Sequence, residues 1–367
     1  MHPFNATPQQ RVLSRRDLEP VTHFLTGACM SRAGFNRKTA LATLTMVLAA
    51  EAADLDVLWA IKGPITAFQH HRGITHSFVG APFVAAVTLG FVYLLHRFWL
   101  RHRPAKKSVP PLRWGYLYFL ALLSALSHLL LDFTTAYGIR LFEPFDWRWY
   151  SWDIVFIIEP LILAALILGL VMPSLFGLIN QEIGARSKGP IGRSGAIFAL
   201  VCLVLIWGFR DYQHRRALNA MGSLLYQGAV PTKMGAYPYW VNPFRWHGVV
   251  ETGNLFQTVP VNSMLPEVDP QSQSRTYFKP EETPATQAAK ASYFGQVYLD
   301  WAVFPLTQTE RLEGTFKGYL VKFEDLRFEY PEMRGRGNLG GWVLVGPDLR
   351  VQEEGTNSRR PSTDENP

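Results

Sequence analysis

The chain has 367 residues, a formal net charge of +7 and 48% hydrophobic residues, yet its mean hydropathy is only +0.03. A mean that low in so apolar a chain hides two unlike parts: up to about residue 210 long runs carry no charge, and beyond it Pro, Glu, Lys and Asn break every run before it could cross a bilayer. The cations cluster in short loops between apolar runs, a pattern of membrane topology that leaves no nucleic-acid partner expected, and Cys29 and Cys202 both sit in apolar surroundings that imply no disulfide framework.

The expected architecture is a mainly α polytopic membrane domain, about five transmembrane helices plus a half-helix, followed by a small β-rich soluble domain. Residues 1–20 are polar, carry Arg11, Arg15 and Arg16 without the apolar core of a signal peptide, and are expected to form a flexible arm. The membrane domain spans residues 21–210. Val21 to Phe35 is rich in small residues and too short to cross, which predicts a half-helix. Thr39 to Trp59 is the first spanning candidate, although Glu51, Asp54 and Asp56 lie in its last third, where ionisable groups are costly unless they line a polar site. Phe78 to Leu100, Gly115 to Phe133, Ile154 to Ile179 with Pro160 in its first turns, and about Gly192 to Phe209 complete the set.

Between these runs the loop from Arg97 to Arg113 holds Arg97, Arg101, Arg103, Lys106, Lys107 and Arg113 with no acid, and the loop after Ile179 holds Arg186, Lys188 and Arg193 against Glu182. Both are expected in the cytoplasm. The loop from Thr134 to Asp153, acidic and carrying Trp147, Trp149, Tyr150 and Trp152, reads as an outward-facing aromatic belt. On that topology the carboxylates ending the first run, the segment before Phe78 and the end of the Gly115–Phe133 run converge at the outer face. Asp211 to Gln227 predicts a helix leaving the membrane. Period-two stretches at Tyr293–Phe304, Gly318–Phe328 and Gly341–Val351 predict strands of an extracytoplasmic β-rich domain over 211–355. Residues 356–367 are expected to be disordered.

Reactive side chains are densest at His70–Ser77, HHRGITHS, where three histidines, an arginine and two hydroxyls occupy eight residues. The Arg72–Gly73 step lets a turn bring His71 and His76 toward one point. Ser77 is a good N-cap for the run from Phe78, leaving His76 at a helix N-terminus that disfavours imidazolium and attracts anions. His128 and Asp132 are four apart and share a helix face, so in an apolar run they must pair with each other or with a metal. Asp54-x-Asp56, following Glu51, can offer carboxylates to a cation, or one ligand and one general base. Together Asp54, Asp56, His71, His76, His128 and Asp132 suit Zn2+, Mn2+ or Fe2+ rather than Ca2+ or a thiolate metal, and an open coordination position would lower the pKa of bound water toward about 7. Arg72 is the natural clamp for a phosphate or carboxylate.

These pieces, with the early Thr22-His23-x-x-x-Gly27, resemble the YdjM-type membrane-bound, metal-dependent hydrolases over about residues 20–180. The resemblance implies a bacterial inner-membrane protein with a metal-assisted hydrolytic site, and it adds His23 to the ligand set. The expected enzyme cleaves an ester or phosphoester of a lipid-like or amphiphilic substrate at the outer face, among membrane lipids. His71, His76, His128, Asp132 and Asp54 hold Zn2+ or Mn2+, Asp56 or Glu51 is the base, and Arg72, Thr75 and Ser77 meet the substrate. The rival expectation is a metal-ion or proton transporter using the same His and Asp residues.

Overall fold

A computed structural model describes residues 19–102, 110–182, 192–265, 268, 274–313, 316–331 and 339–357. The expected arm up to residue 18, the expected tail from residue 358, and Arg103, Lys106, Lys107, Arg186 and Lys188 lie outside the described residues. The chain forms two compact units that do not follow chain order. One takes the described parts of Met1–Glu51, Ala85–His128 and Ile157–Leu203; the other takes those of Ala52–Val84, Leu129–Phe156 and Val204–Pro367.

The first unit is helical. Helix α1 (Glu19–Arg32) lies against α2 (Ala42–Glu51), where Gly27 lets the backbones approach: a Cβ there would meet the Met46 carbonyl oxygen at 2.9 Å and the Ala50 Cβ at 3.1 Å. Ser31 and Thr43 hydroxyls bond across the same contact at 2.8 Å. Small residues let membrane helices pack closely. Ala49, Ala85 and Ala121 do this for α2, α4 (Gly80–Phe98) and α5 (Trp114–Phe133), and Gly169 and Gly195 for α6 (Pro160–Glu182) and α7 (Arg193–Gly222).

Among the described residues three helices, α4, α5 and α7, are long and apolar enough to cross a membrane, not the five expected. The Thr39–Trp59 run is not one span: α2 stops at Glu51 after 10 residues, too short at about 1.5 Å per residue for a hydrocarbon core of about 30 Å. The chain continues as a 3-10 helix over Ala52–Lys62, which turns the acidic residues away from the α-helical path. Residues three apart eclipse in this geometry. Ala53 and Asp56 therefore point inward at 0% and 5% exposure, while Leu55, Leu58 and Ile61 stack outward. Helix α6 starts only at Pro160, whose missing N–H suits a first turn, and runs 23 residues to Glu182, with Pro160–Pro173 its apolar stretch among the described residues. Helix α7 does not end at Phe209; it runs unbroken to Gly222 and absorbs most of the stretch expected to leave the membrane.

The second unit carries two antiparallel four-stranded sheets, each with its strands in sequence order. The first is β1 (Lys233–Pro238), β2 (Arg245–Glu251), β3 (Leu255–Asn262) and β4 (Arg275–Phe278), and the end of α7 packs on it through Ala217 and Met221. After α8 (Pro284–Lys290) and α9 (Tyr293–Trp301) come β5 (Pro305–Glu313), β6 (Lys317–Asp325), β7 (Gly341–Val345) and β8 (Val351–Thr356). The strand expected over Tyr293–Phe304 is thus mostly helix. Ser292 caps it by accepting the Gly295 N–H, and Phe294, Val297, Tyr298 and Trp301 fall at helical spacing and are buried. The Gly341–Val351 stretch is not one strand but β7, a turn and the start of β8.

This unit also contains the loop 134–156, and α9 packs on it. Trp301 lies 5.0 Å from the Tyr137 ring and 5.1 Å from Phe68 of α3 (Pro64–His70), and donates its indole N–H to the Tyr137 carbonyl. Arg140 pairs with Asp300 and stacks on Trp149, so Trp149 of the expected aromatic belt is a packing residue, whereas Phe145 and Trp147 are exposed. Substituting Gly27→Val is expected to lower stability by about 1–3 kcal/mol through overpacking of α1 on α2. Gly90→Ala, whose Cβ meets nothing within 4 Å, is expected to cause no loss; thermal unfolding of both in detergent checks this.

Candidate metal centre

The site is assembled from chain segments that each have a local reason to be there. After α3 the backbone turns at Arg72, which takes the left-handed conformation (φ 56°) expected of its neighbour Gly73. Gly73 instead gives room, since a Cβ would sit 3.0 Å from Glu143 Oε2 and 3.1 Å from the His70 carbonyl. The unusual Arg72 backbone is held by its N–H donating to Asp56 Oδ2 (2.8 Å) and its carbonyl accepting from Arg140 N–H (3.1 Å). Its side chain turns inward, 2% exposed, donating to Asp132 Oδ1 at 2.9 Å and Thr135 Oγ1 at 3.0 Å with the Tyr137 ring alongside.

His76 follows on one 3-10 turn and is fully buried. Its Nε2 lies 3.2 Å from Asp132 Oδ2 and 3.4 Å from Asp54 Oδ1, and its Nδ1 lies 3.0 Å from Thr75 Oγ1 and 3.4 Å from Asp56 Oδ2. Burial pushes this imidazole's pKa down, but the Asp132 and Asp54 hydrogen bonds and the Asp132 and Asp56 charges outweigh it and raise it to about 9. These carboxylates work against the helix dipole's preference for a neutral ring, and a metal at Nε2 would take the proton's place. Ser77 caps α4 as expected, accepting the Gly80 N–H at 2.9 Å and donating to the Ile74 carbonyl at 2.9 Å. Being fully buried, it is a structural residue here, and Thr75 likewise faces His76 rather than open space.

On α5, His128 and Asp132 point the same way, one turn apart. His128 Nδ1 donates to the Ala50 carbonyl at 2.6 Å, which leaves Nε2 as its lone-pair nitrogen, and His23 stacks on the ring at 3.9 Å. Asp54, His76, His128 and Asp132 each offer one ligand atom, all within 4.8 Å of one another. Two imidazole nitrogens and two carboxylate oxygens form a donor set that fits Zn2+, Mn2+ or Fe2+. Around it Asp54, Asp56 and Asp132 bring three carboxylates to His76, with Arg72 paired to Asp132, a concentration of negative charge that suits a divalent ion. The partners of both histidine Nδ1 atoms are of the kind that orient metal-bound imidazole.

The group holds four of the seven expected ligands. His71 and His23 are not in the four-residue group: His23 backs His128, and His71, 37% exposed, bonds through Nδ1 to Asp56 Oδ1 at 3.2 Å. Asp56, expected as ligand or base, touches His71, His76 and the Arg72 N–H. Burial pushes its carboxyl pKa up, but the His71 hydrogen bond, the His71 and His76 charges and the Arg72 N–H prevail and hold it below the usual range, which suits an orienting carboxylate. Glu51 closes α2, half-buried and outside the group. Two neighbours carried no sequence signal. Tyr137 packs its ring on both Arg72 and His71, and Glu143, whose carboxyl is pushed up by burial against the pull of Arg140, lies over Gly73.

The model of the YdjM inner membrane protein family matches residues 18–217, which include every residue named in the cluster. The chain belongs to that family. It is also similar to an uncharacterized protein of Bacillus subtilis (strain 168), YfhP, at 24% identity over 112 residues, 30% of each chain, so the match spans less than a third of that relative. No solved structure matches at the same stringency. Membership of an inner-membrane family and the apolar helices make this a membrane protein, and the four-residue group could hold a metal ion. Substituting His76, His128 or Asp132 by Ala is expected to strip metal from the detergent-purified protein, and Asp56→Asn to weaken its affinity about 10–100-fold through His76. His71→Ala should keep its metal; loss of metal there, measured by elemental analysis, would return His71 to the ligand set.

Proposed function

We propose that this protein is a metal-dependent hydrolase acting on an ester or phosphoester of a lipid-like substrate. The observation that carries the reading is a division of labour: four donors gather at one point, and beside them a part-exposed imidazole, His71, is held by a buried carboxylate, Asp56. Asp54, His76, His128 and Asp132 would hold Zn2+ or Mn2+. Such an ion polarises the bond to be cleaved and acidifies water toward a pKa of about 7. Arg72 fixes Asp132 and offsets part of the carboxylate charge. His71 receives the proton at Nε2 while Asp56 holds Nδ1, the arrangement of a general base with its orienting group.

The substrate reading rests on the membrane. A site in an inner-membrane protein, bounded by exposed apolar residues, meets amphiphiles before it meets polar solutes. By the positive-inside rule the cationic loops lie in the cytoplasm, so that, with the 23-residue α6 crossing as well, the site and the β-rich domain face outward. A reporter active only in the cytoplasm, fused after Val351, is expected to be silent; activity would reverse this orientation.

Under the enzyme reading His71→Ala should retain metal yet lose about 10²–10⁴-fold in turnover in a screen of phosphoester and carboxylic ester lipids. Metal flux into liposomes with no hydrolysis of any of them would favour the transporter instead.

A further inference from the structure

The 3-10 helix Ala52–Lys62 is amphipathic in the wrong sense for a segment bathed in water. Its carboxylate Asp56 and Ala53 face inward, whereas Leu55 (56% exposed), Val57 (64%), Leu58 (60%) and Ile61 (86%) face out. Repeating every third residue, Leu55, Leu58 and Ile61 make a continuous stripe along one side. Toward its end Trp59 stacks on His70 (4.2 Å), and Lys62 Nζ lies 4.6 Å from the Trp59 ring centre. A tryptophan with a lysine at the edge of an apolar surface is the usual marker of headgroup depth. The 3-10 turn Ile74–His76 touches this helix, and from its exposed Ile74 the chain runs through exposed Phe78 to exposed Phe83 in the first turn of α4, a helix apolar enough to span the membrane.

We propose that this segment is a lipid-facing threshold: the Leu55–Leu58–Ile61 stripe lies among the outermost acyl chains of the bilayer, while the start of the same helix delivers Asp54 and Asp56, on its two other sides, to the metal centre. Large exposed apolar surfaces mark contact sites, and here continuity with α4 and the Trp59–Lys62 boundary select lipid as the occupant. Of the four donors only Asp54 is not buried, and it sits in the chain directly before Leu55. Resting on the hydrolase reading, this makes Asp54 the donor next to which a membrane lipid would enter, its acyl chain against the stripe and its ester or phosphate toward the site. The placement in lipid stands independently of any activity.

The test uses the full chain in vesicles of phosphatidylethanolamine and phosphatidylglycerol. Spin labels are placed at Leu58→Cys and Ile61→Cys in a Cys202→Ser background, Cys29 being fully buried, with Leu349→Cys in the β7–β8 turn as the aqueous reference. Labels at 58 and 61 are expected to be more accessible to oxygen than to a water-soluble nickel chelate, with the reverse at 349. Preference for the nickel chelate at 58 and 61 would put the stripe in water, and protection from both reagents would put it against protein, either a second copy or another chain; each result overturns the proposal. The unlabelled protein supplies a second reading. Lipids brominated near the headgroup end of their acyl chains should quench a fluorescence component that Trp59→Phe removes, and no such component would count against the placement. Neither measurement reads catalysis, so a lipid-facing stripe in a protein without turnover would sink the hydrolase alone.

Discussion

The arrangement depends on one buried guanidinium. Arg72 reaches Asp132 and Thr135 with its side chain and Asp56 with its backbone N–H, so two carboxylates of the centre are located by one residue. Buried carboxylates at this spacing repel, and removing one partner of a buried ion pair costs about 3–5 kcal/mol because the remaining charge is left without compensation. Asp54, Asp56 and Asp132 gather around His76 with Arg72 paired to Asp132, and a group so rich in carboxylates could hold a divalent ion. The left-handed Arg72 backbone is the strained consequence, tolerated because contacts on both sides of the peptide over-determine it.

Metal chemistry alone does not explain why Asp56 is distinct from Asp54. They are two residues apart on a 3-10 helix, where each residue turns the chain by about 120°, so their side chains diverge. Asp54 meets His76 Nε2, the side shared with Asp132; Asp56 meets Nδ1 and His71. One short segment thereby supplies a ligand and an orienting group to the same ring. It also turns Leu55 and Leu58 outward, so the geometry that divides the carboxylates creates the apolar stripe.

The β-rich part of the chain extends beyond the family match at residue 217, yet it belongs to the same compact unit as the segments bearing His71, Arg72, His76 and Asp132. Trp301 packs on Tyr137, whose ring covers Arg72 and His71. Tyr293 donates to Gln69 on α3, and buried Arg327 donates to the Ala136 carbonyl. These contacts brace the loops after α3 and α5, which have few backbone hydrogen bonds of regular structure to hold them. Orientation of Arg72 and His71 thus depends on residues remote in the chain.

The sequence by itself determined a helical N-terminal region followed by a β-rich one, the apolar helices α4, α5 and α7, and the family, because length, charge-free runs and a local motif are properties of consecutive residues. It also determined that His76, His128, Asp54 and Asp132 belong together, since one helix face joins His128 to Asp132 and membrane depth joins the rest. Only the tertiary structure separated these four donors from His71 and Asp56, which have the same residue types, and it set His128 Nδ1 on the Ala50 carbonyl, which leaves Nε2 as the lone-pair nitrogen of that ring. Tertiary packing also broke the Thr39–Trp59 run at Glu51, where buried carboxylates needed partners that a continuous helix in lipid could not provide, and folded Tyr293–Trp301 as a helix against Tyr137. Partners supplied from dozens of residues away leave no mark on the local pattern.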